Sequence, residues 1–110
     1  MAEKTLSTLF HDTLRDIYYA ERKILKSLPK MKRAAQSAEL KAAFEKHETQ
    51  TEGQIERLER VFEIIDKTPR GKTCDAINGI LAEGDEIAEE YKGNPALDAG
   101  LLAAAQAVEH

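Results

Sequence analysis

The stretch FHDTLRDIYYAERKILKSLPKM, residues 10–31, decides the fold class. Phe10, Leu14, Ile17, Glu21, Ile24, Leu28 and Met31 follow one another at alternating spacings of four and three. Apart from Glu21 they form the apolar stripe that a bundle helix turns inward. Three Pro and six Gly leave long uninterrupted stretches elsewhere, and nothing alternates apolar and polar as a half-buried strand would. The expectation is an all-α chain built as an antiparallel bundle.

Start and stop signals place four helices. The first spans about 6–35, with Thr5 or Ser7 as its cap, and Pro29 is expected to kink it because proline has no N–H and its ring crowds the Leu25 carbonyl. The second spans 38–66, announced by Ser37 and ended by Thr68-Pro69-Arg70-Gly71. The third spans 73–92, capped by Thr73 and closed by Gly93 in a left-handed conformation. Asn94-Pro95 then reads as cap and first position of a fourth helix over 95–110. The short connection before it predicts an antiparallel hairpin. No stop signal precedes His110, so the bundle reads as incomplete.

The chain has 110 residues, the size of one domain. A hydrophobic share of 42% argues against disorder, and a charged share of 33% points to long solvated helix faces. With a net charge of −4 and 16 scattered Lys and Arg, nucleic acid is not an expected partner. No segment approaches the ~20 apolar residues of a membrane span. Cys74 is the single cysteine, so no internal disulfide forms. Together with an opening that lacks a secretory pattern, this predicts a cytoplasmic protein.

Function is sought in the defects of the apolar pattern. Glu21 interrupts the stripe of the first helix, where a carboxylate must be protonated, paired or bound to a cation. The second helix carries Leu40, Phe44, His47, Thr51, Gln54, Leu58, Phe62 and Ile65 on one stripe, apolar at both ends and polar in the centre. Gln50 stands one turn beyond His47. In the fourth helix Leu102, Ala105 and Glu109 repeat the pattern. Carboxylate and imidazole on inward stripes suit iron, manganese or zinc.

Each position also has an ordinary structural reading: Glu21 paired with Lys23, His47 bonded within the core, Gln50 and Gln54 at a wet subunit interface, Glu109 fraying. Tyr18, one turn before Glu21, either bonds a site there or is an interfacial tyrosine. Lys41, Glu45, Glu48, Glu52, Glu56 and Glu59 read as a solvated stripe, as do Asp85, Glu86, Glu89 and Glu90. His11 reads as exposed and Cys74 as a quiet structural thiol. No phosphate loop, nucleophilic Ser motif or CxxC pair is present.

Leu14-Arg15-Asp16-Ile17-Tyr18-Tyr19-Ala20-Glu21-Arg22 resembles the opening helix of the bacterial YciE/YciF family, a ferritin-like group tied to general stress. Leu28-Pro29-Lys30-Met31, Phe44-Glu45-Lys46-His47, Gln54-Ile55-Glu56-Arg57-Leu58-Glu59 and Ala103-Ala104-Ala105-Gln106-Ala107-Val108-Glu109-His110 resemble later parts of it. The resemblance covers this whole chain but about two-thirds of the family's usual length, leaving out one more long helix. It implies a ferritin-like bundle able to hold two metal ions, iron or manganese with zinc compatible, and no organic cofactor. The metal donors it implies are Glu21, His47, Gln50 and Glu109, with 73–91 as a crossover element.

Two departures from the family pattern stand out. No Glu in this chain is followed three places on by His, since Phe44 precedes His47 and Ala107 precedes His110, and many family members carry Glu where this chain has Gln50. Secondly, the family's last helix and its acids are missing, so either the chain is a fragment or a second copy, docked as a homodimer through apolar helix faces, is expected to complete the bundle. The alternative is a non-catalytic helical oligomerisation module, its central polar residues fixing register without metal.

Overall fold

The computed structural model describes residues 4–109, and its elements are four helices: α1 Leu6–Ala34, α2 Ala38–Ile64, α3 Asp75–Glu90 and α4 Leu97–Glu109. Thr5 caps α1 through a reciprocal arrangement with Thr8, each side chain accepting from the other's backbone N–H. Pro29 lies inside α1, which continues through it to Ala34. Ser37 caps α2 by accepting from the Leu40 N–H. At the other end of α2, Asp66 takes φ +57° while the Lys67 N–H donates back to the Phe62 carbonyl. The chain therefore turns away there before Pro69.

The two later helices start further on than the sequence suggests. Cys74, rather than Thr73, is the N-cap of α3, and it makes no side-chain cap hydrogen bond. Asn94, Pro95 and Ala96 form a turn closed by Asn94 Oδ1 accepting from the Ala96 N–H at 2.8 Å. As a result α4 opens at Leu97. Gly93 has φ +76°, the left-handed conformation expected past the end of α3. His110, the last position of the expected fourth helix, lies outside the described residues.

Contacts across the elements fix their directions. Tyr18 meets Glu59 and Lys32 meets Glu45, so α1 and α2 run antiparallel. Gly84 approaches Ala104 and Gly100 approaches Ile87, so α3 and α4 do as well. Tyr19 meets Asn78 and Lys30 meets Asp85, so α3 runs alongside α1 in the same direction. The α3–α4 hairpin is anchored at the α1–α2 turn, where the Asp98 carboxylate accepts from the backbone N–H groups of Gln36 and Ser37 at 2.8 and 2.7 Å.

This hairpin covers only one half of the α1–α2 pair. A main core joins Ile24, Leu28, Met31, Ala35 and Phe44 to Ile77, Leu97, Leu101 and Ala104. A smaller one holds Leu14, Tyr18 and Phe62 between α1 and α2 alone. The molecule is correspondingly elongated, 55 × 25 × 17 Å. The partition corrects the expected stripe of α1: Phe10 and Ile17 are 49% and 45% exposed, and Tyr18 takes the buried position at 3%. On α2, Phe44, Thr51 and Phe62 are buried and Gln54 is exposed. Thr51 tolerates burial because its hydroxyl donates to the His47 carbonyl at 2.7 Å. No described helix is long and apolar enough to cross a membrane.

Candidate functional site

Glu21 is carried by α1 three residues after the buried Tyr18, at the edge of the α3–α4 hairpin. Its side chain is part-buried, and Oε2 is cut off from solvent with no hydrogen-bond partner in the molecule. A carboxylate so placed loses hydration without recovering it from the protein. Desolvation accordingly raises its pKa, and the nearby Glu109 carboxylate raises it further by like-charge repulsion. Glu109, in the last turn of α4, also approaches α2: its Oε1 lies 3.8 Å from His47 Nδ1, with both side chains nearly half exposed. Glu109 is thus the residue that links the other two. Gln50, one turn further along α2, is exposed.

The antiparallel pairing explains why the group is open rather than closed. With Tyr18 opposite Glu59 and Lys32 opposite Glu45, His47 sits level with the region of Lys30. Glu21 is about nine residues away along α1, roughly 13 Å at ~1.5 Å per residue. Among the described residues no three of His, Cys, Asp or Glu gather where they could hold a metal ion. The donor types fit a divalent first-row metal, and the unpartnered Glu21 oxygen would suit a cation or a proton, but among the described residues the chain does not enclose a coordination sphere.

A cavity of about 280 Å³ lies beside this group. Ile24, Leu28, Phe44, Leu102 and Val108 give it an apolar wall, and His47 and Glu109 line it too.

Two polar contacts lie beyond what the stripes foretell. Tyr18 Oη donates to Glu59 Oε2 at 3.0 Å, which removes Glu59 from the purely solvated face of α2. Burial, followed by the Glu59 carboxylate, raises the Tyr18 pKa. Tyr19 Oη donates to Asn78 Oδ1 at 3.1 Å while Asn78 Nδ2 donates to Tyr19 Oη at 2.9 Å, tying α1 to the first turn of α3. Tyr18 therefore points away from Glu21 towards α2. Its spacing of four from Leu14 was the available signal. Cys74 is a free, partly buried thiol packed against the main core.

A domain family described as a domain of unknown function, DUF892, matches residues 5–110. The YciF protein of Escherichia coli K12 is 40% identical over 112 residues, which take in all of this chain and 67% of that protein. Among solved structures, YcfI of Rhodopseudomonas palustris, for which a structural role has been suggested, superposes with a TM-score of 0.93 at 45% identity. That match covers 97% of this chain and 68% of that one.

Proposed function

The chain belongs to the DUF892 family, and on that premise we propose that it is a ferritin-like, stress-associated bundle protein contributing Glu21, His47, Gln50 and Glu109 to a carboxylate–imidazole site for iron or manganese. The observation that supports this reading is the buried, unpartnered Oε2 of Glu21, joined to His47 through Glu109. A bound divalent cation satisfies the orphaned oxygen and turns the Glu21–Glu109 repulsion into shared attraction. Such a metal supplies oxidation or peroxide-removing chemistry. The chain's own side chains bind and orient it, and the apolar cavity wall limits water on one side. A second copy, docking on the exposed Phe10, Ile17 and Leu102, adds the remaining donors.

Melting with metal tests the reading. Mn(II), Zn(II) or anaerobic Fe(II) is expected to raise Tm, since a cation at a hundred times its Kd adds about 2.7 kcal/mol to the folded state. Glu21→Leu should remove that gain. The exposed apolar residues also favour a second reading, a helical oligomerisation module without metal. In that case all three metals leave Tm unmoved and Glu21→Leu stabilises the protein by relieving the buried carboxylate.

A further inference from the structure

On the side of α1 that faces the start of α3, Arg22, Lys23 and Lys26 line a basin of about 390 Å³ with Tyr19, Gly71 and Thr73. The protein as a whole carries a net charge of −4, yet no carboxylate lines this concavity. The ion pairs among the described residues use Lys30, Lys32 and His47 and none of these three cations. Arg22 and Lys23 instead lie over the rings of Tyr18 and Tyr19, each 5.6 Å from the centroid.

The opposite wall is held in place rather than draped. The Lys72 N–H donates to the Arg15 carbonyl at 3.1 Å. A Cβ on Gly71 would stand 3.1 Å from Tyr19 Cβ, so the 70–72 backbone lies directly on α1. The reciprocal Tyr19–Asn78 hydrogen bonds lock the first turn of α3 to the same helix.

We propose that the Arg22–Lys23–Lys26 basin, walled by Gly71 and Thr73, is a binding site for a small phosphorylated ligand carrying a diphosphate. Three cations in a basin whose own lining holds no carboxylate suit a charge of about −3, more than a single phosphate brings, while Lys23 and Lys26 also border an adjoining hollow with Asp85. Arg22 offers a planar fork of donors, while the two lysines act as point charges. The Thr73 hydroxyl adds a neutral donor. The site shares no lining residue with the cavity beside His47 and Glu109.

The test is a ¹H–¹⁵N NMR titration of the full chain at low ionic strength with inorganic pyrophosphate, inorganic phosphate and a nucleoside diphosphate. The expected result is saturable shifts of the Arg22, Lys23, Lys26 and Gly71–Asp75 amides with pyrophosphate, with phosphate at least tenfold weaker. Added affinity for the nucleoside diphosphate would assign the ligand to nucleotides, and equal affinity to the diphosphate group alone. The double variant Lys23→Gln/Lys26→Gln should weaken binding about tenfold or more, and Lys46→Gln on α2 should not. Shifts spread evenly over all lysines without saturation, or a double variant that binds as wild type does, would overturn the proposal.

Discussion

Glu109 Oε1 lies 3.8 Å from His47 Nδ1, bringing the end of α4 to the middle of α2, while the same carboxylate repels Glu21 on α1. One acidic side chain of α4 therefore lies within reach of both α1 and α2. Glu109→Gln should lower the Glu21 pKa without returning it to its ordinary value, because desolvation is the larger cause of the rise. Carboxyl ¹³C titration by NMR reads the shift directly. A Glu21 carboxyl that titrates identically in the two proteins would show that the repulsion is absent.

The same rise in pKa predicts a pH dependence. Folded Glu21 holds its proton more tightly than the unfolded chain does, since its pKa lies above the ordinary 4.5. Its contribution is fully present below that value and is lost as pH rises through the raised folded pKa. Urea denaturation between pH 4 and 8 should show the wild type losing stability relative to Glu21→Gln across that window. Parallel curves would contradict the burial of this carboxyl.

Tyr18→Phe removes the hydroxyl that donates to Glu59 and leaves the ring between Leu14 and Phe62. The expected loss is about 0.5–1.5 kcal/mol in chemical denaturation, because Glu59 is exposed and water replaces the lost donor. Phe62→Ala empties a position with 0% exposure and should cost about 3–5 kcal/mol. If the order of these two losses were reversed, the α1–α2 core would have to be packed differently.

Asp98→Ala deletes both acceptors at the α1–α2 turn and leaves the Gln36 and Ser37 N–H groups to solvent. Charge-assisted bonds of this kind contribute about 1.5–3 kcal/mol. Native-state hydrogen exchange should show amides of α3 and α4 losing protection together, more than those at the far end of α1.

Gly100→Ala sets two effects of opposite sign against each other. Alanine favours a helix by about 1 kcal/mol over glycine. Its Cβ, however, would stand 2.6 Å from Ile87 Cγ2, so α3 and α4 must separate or Ile87 must change rotamer. Overpacking of this kind costs about 1–3 kcal/mol, and a lowered Tm is the expected outcome. Gly79→Ala, with no atom within 4 Å of the added Cβ, should raise it instead.

Element identity was legible because capping residues and breakers stand where periodicity changes. Thr5, Ser37 and Gly93 each play the part their type suggests. The inward face of α1 was fully legible only where a second layer exists, with Leu14 the one stripe residue buried outside it. Ile24, Leu28 and Met31 are buried under the α3–α4 hairpin, whereas Phe10 and Ile17 lie beyond its reach and remain exposed. Glu21, His47 and Glu109 were visible as polar breaks in apolar stripes. The axial offset between Glu21 and His47 was not visible, because it depends on how α1 and α2 align across the turn. Glu59, Asn78 and Asp98 gave no sign at all: their partners lie more than 40 residues away, and local pattern carries no trace of them.

The division into a half covered by the α3–α4 hairpin and a bare two-helix half sets how the molecule comes apart. The apolar cluster of Leu14, Tyr18 and Phe62 is formed by α1 and α2 alone, so thermal opening should begin at the start of α1 and the end of α2 and travel towards the 35–37 turn. A limiting protease should then nick the bare arm first, leaving the hairpin of α3 and α4 clasped at Asp98 as the slower fragment to be lost.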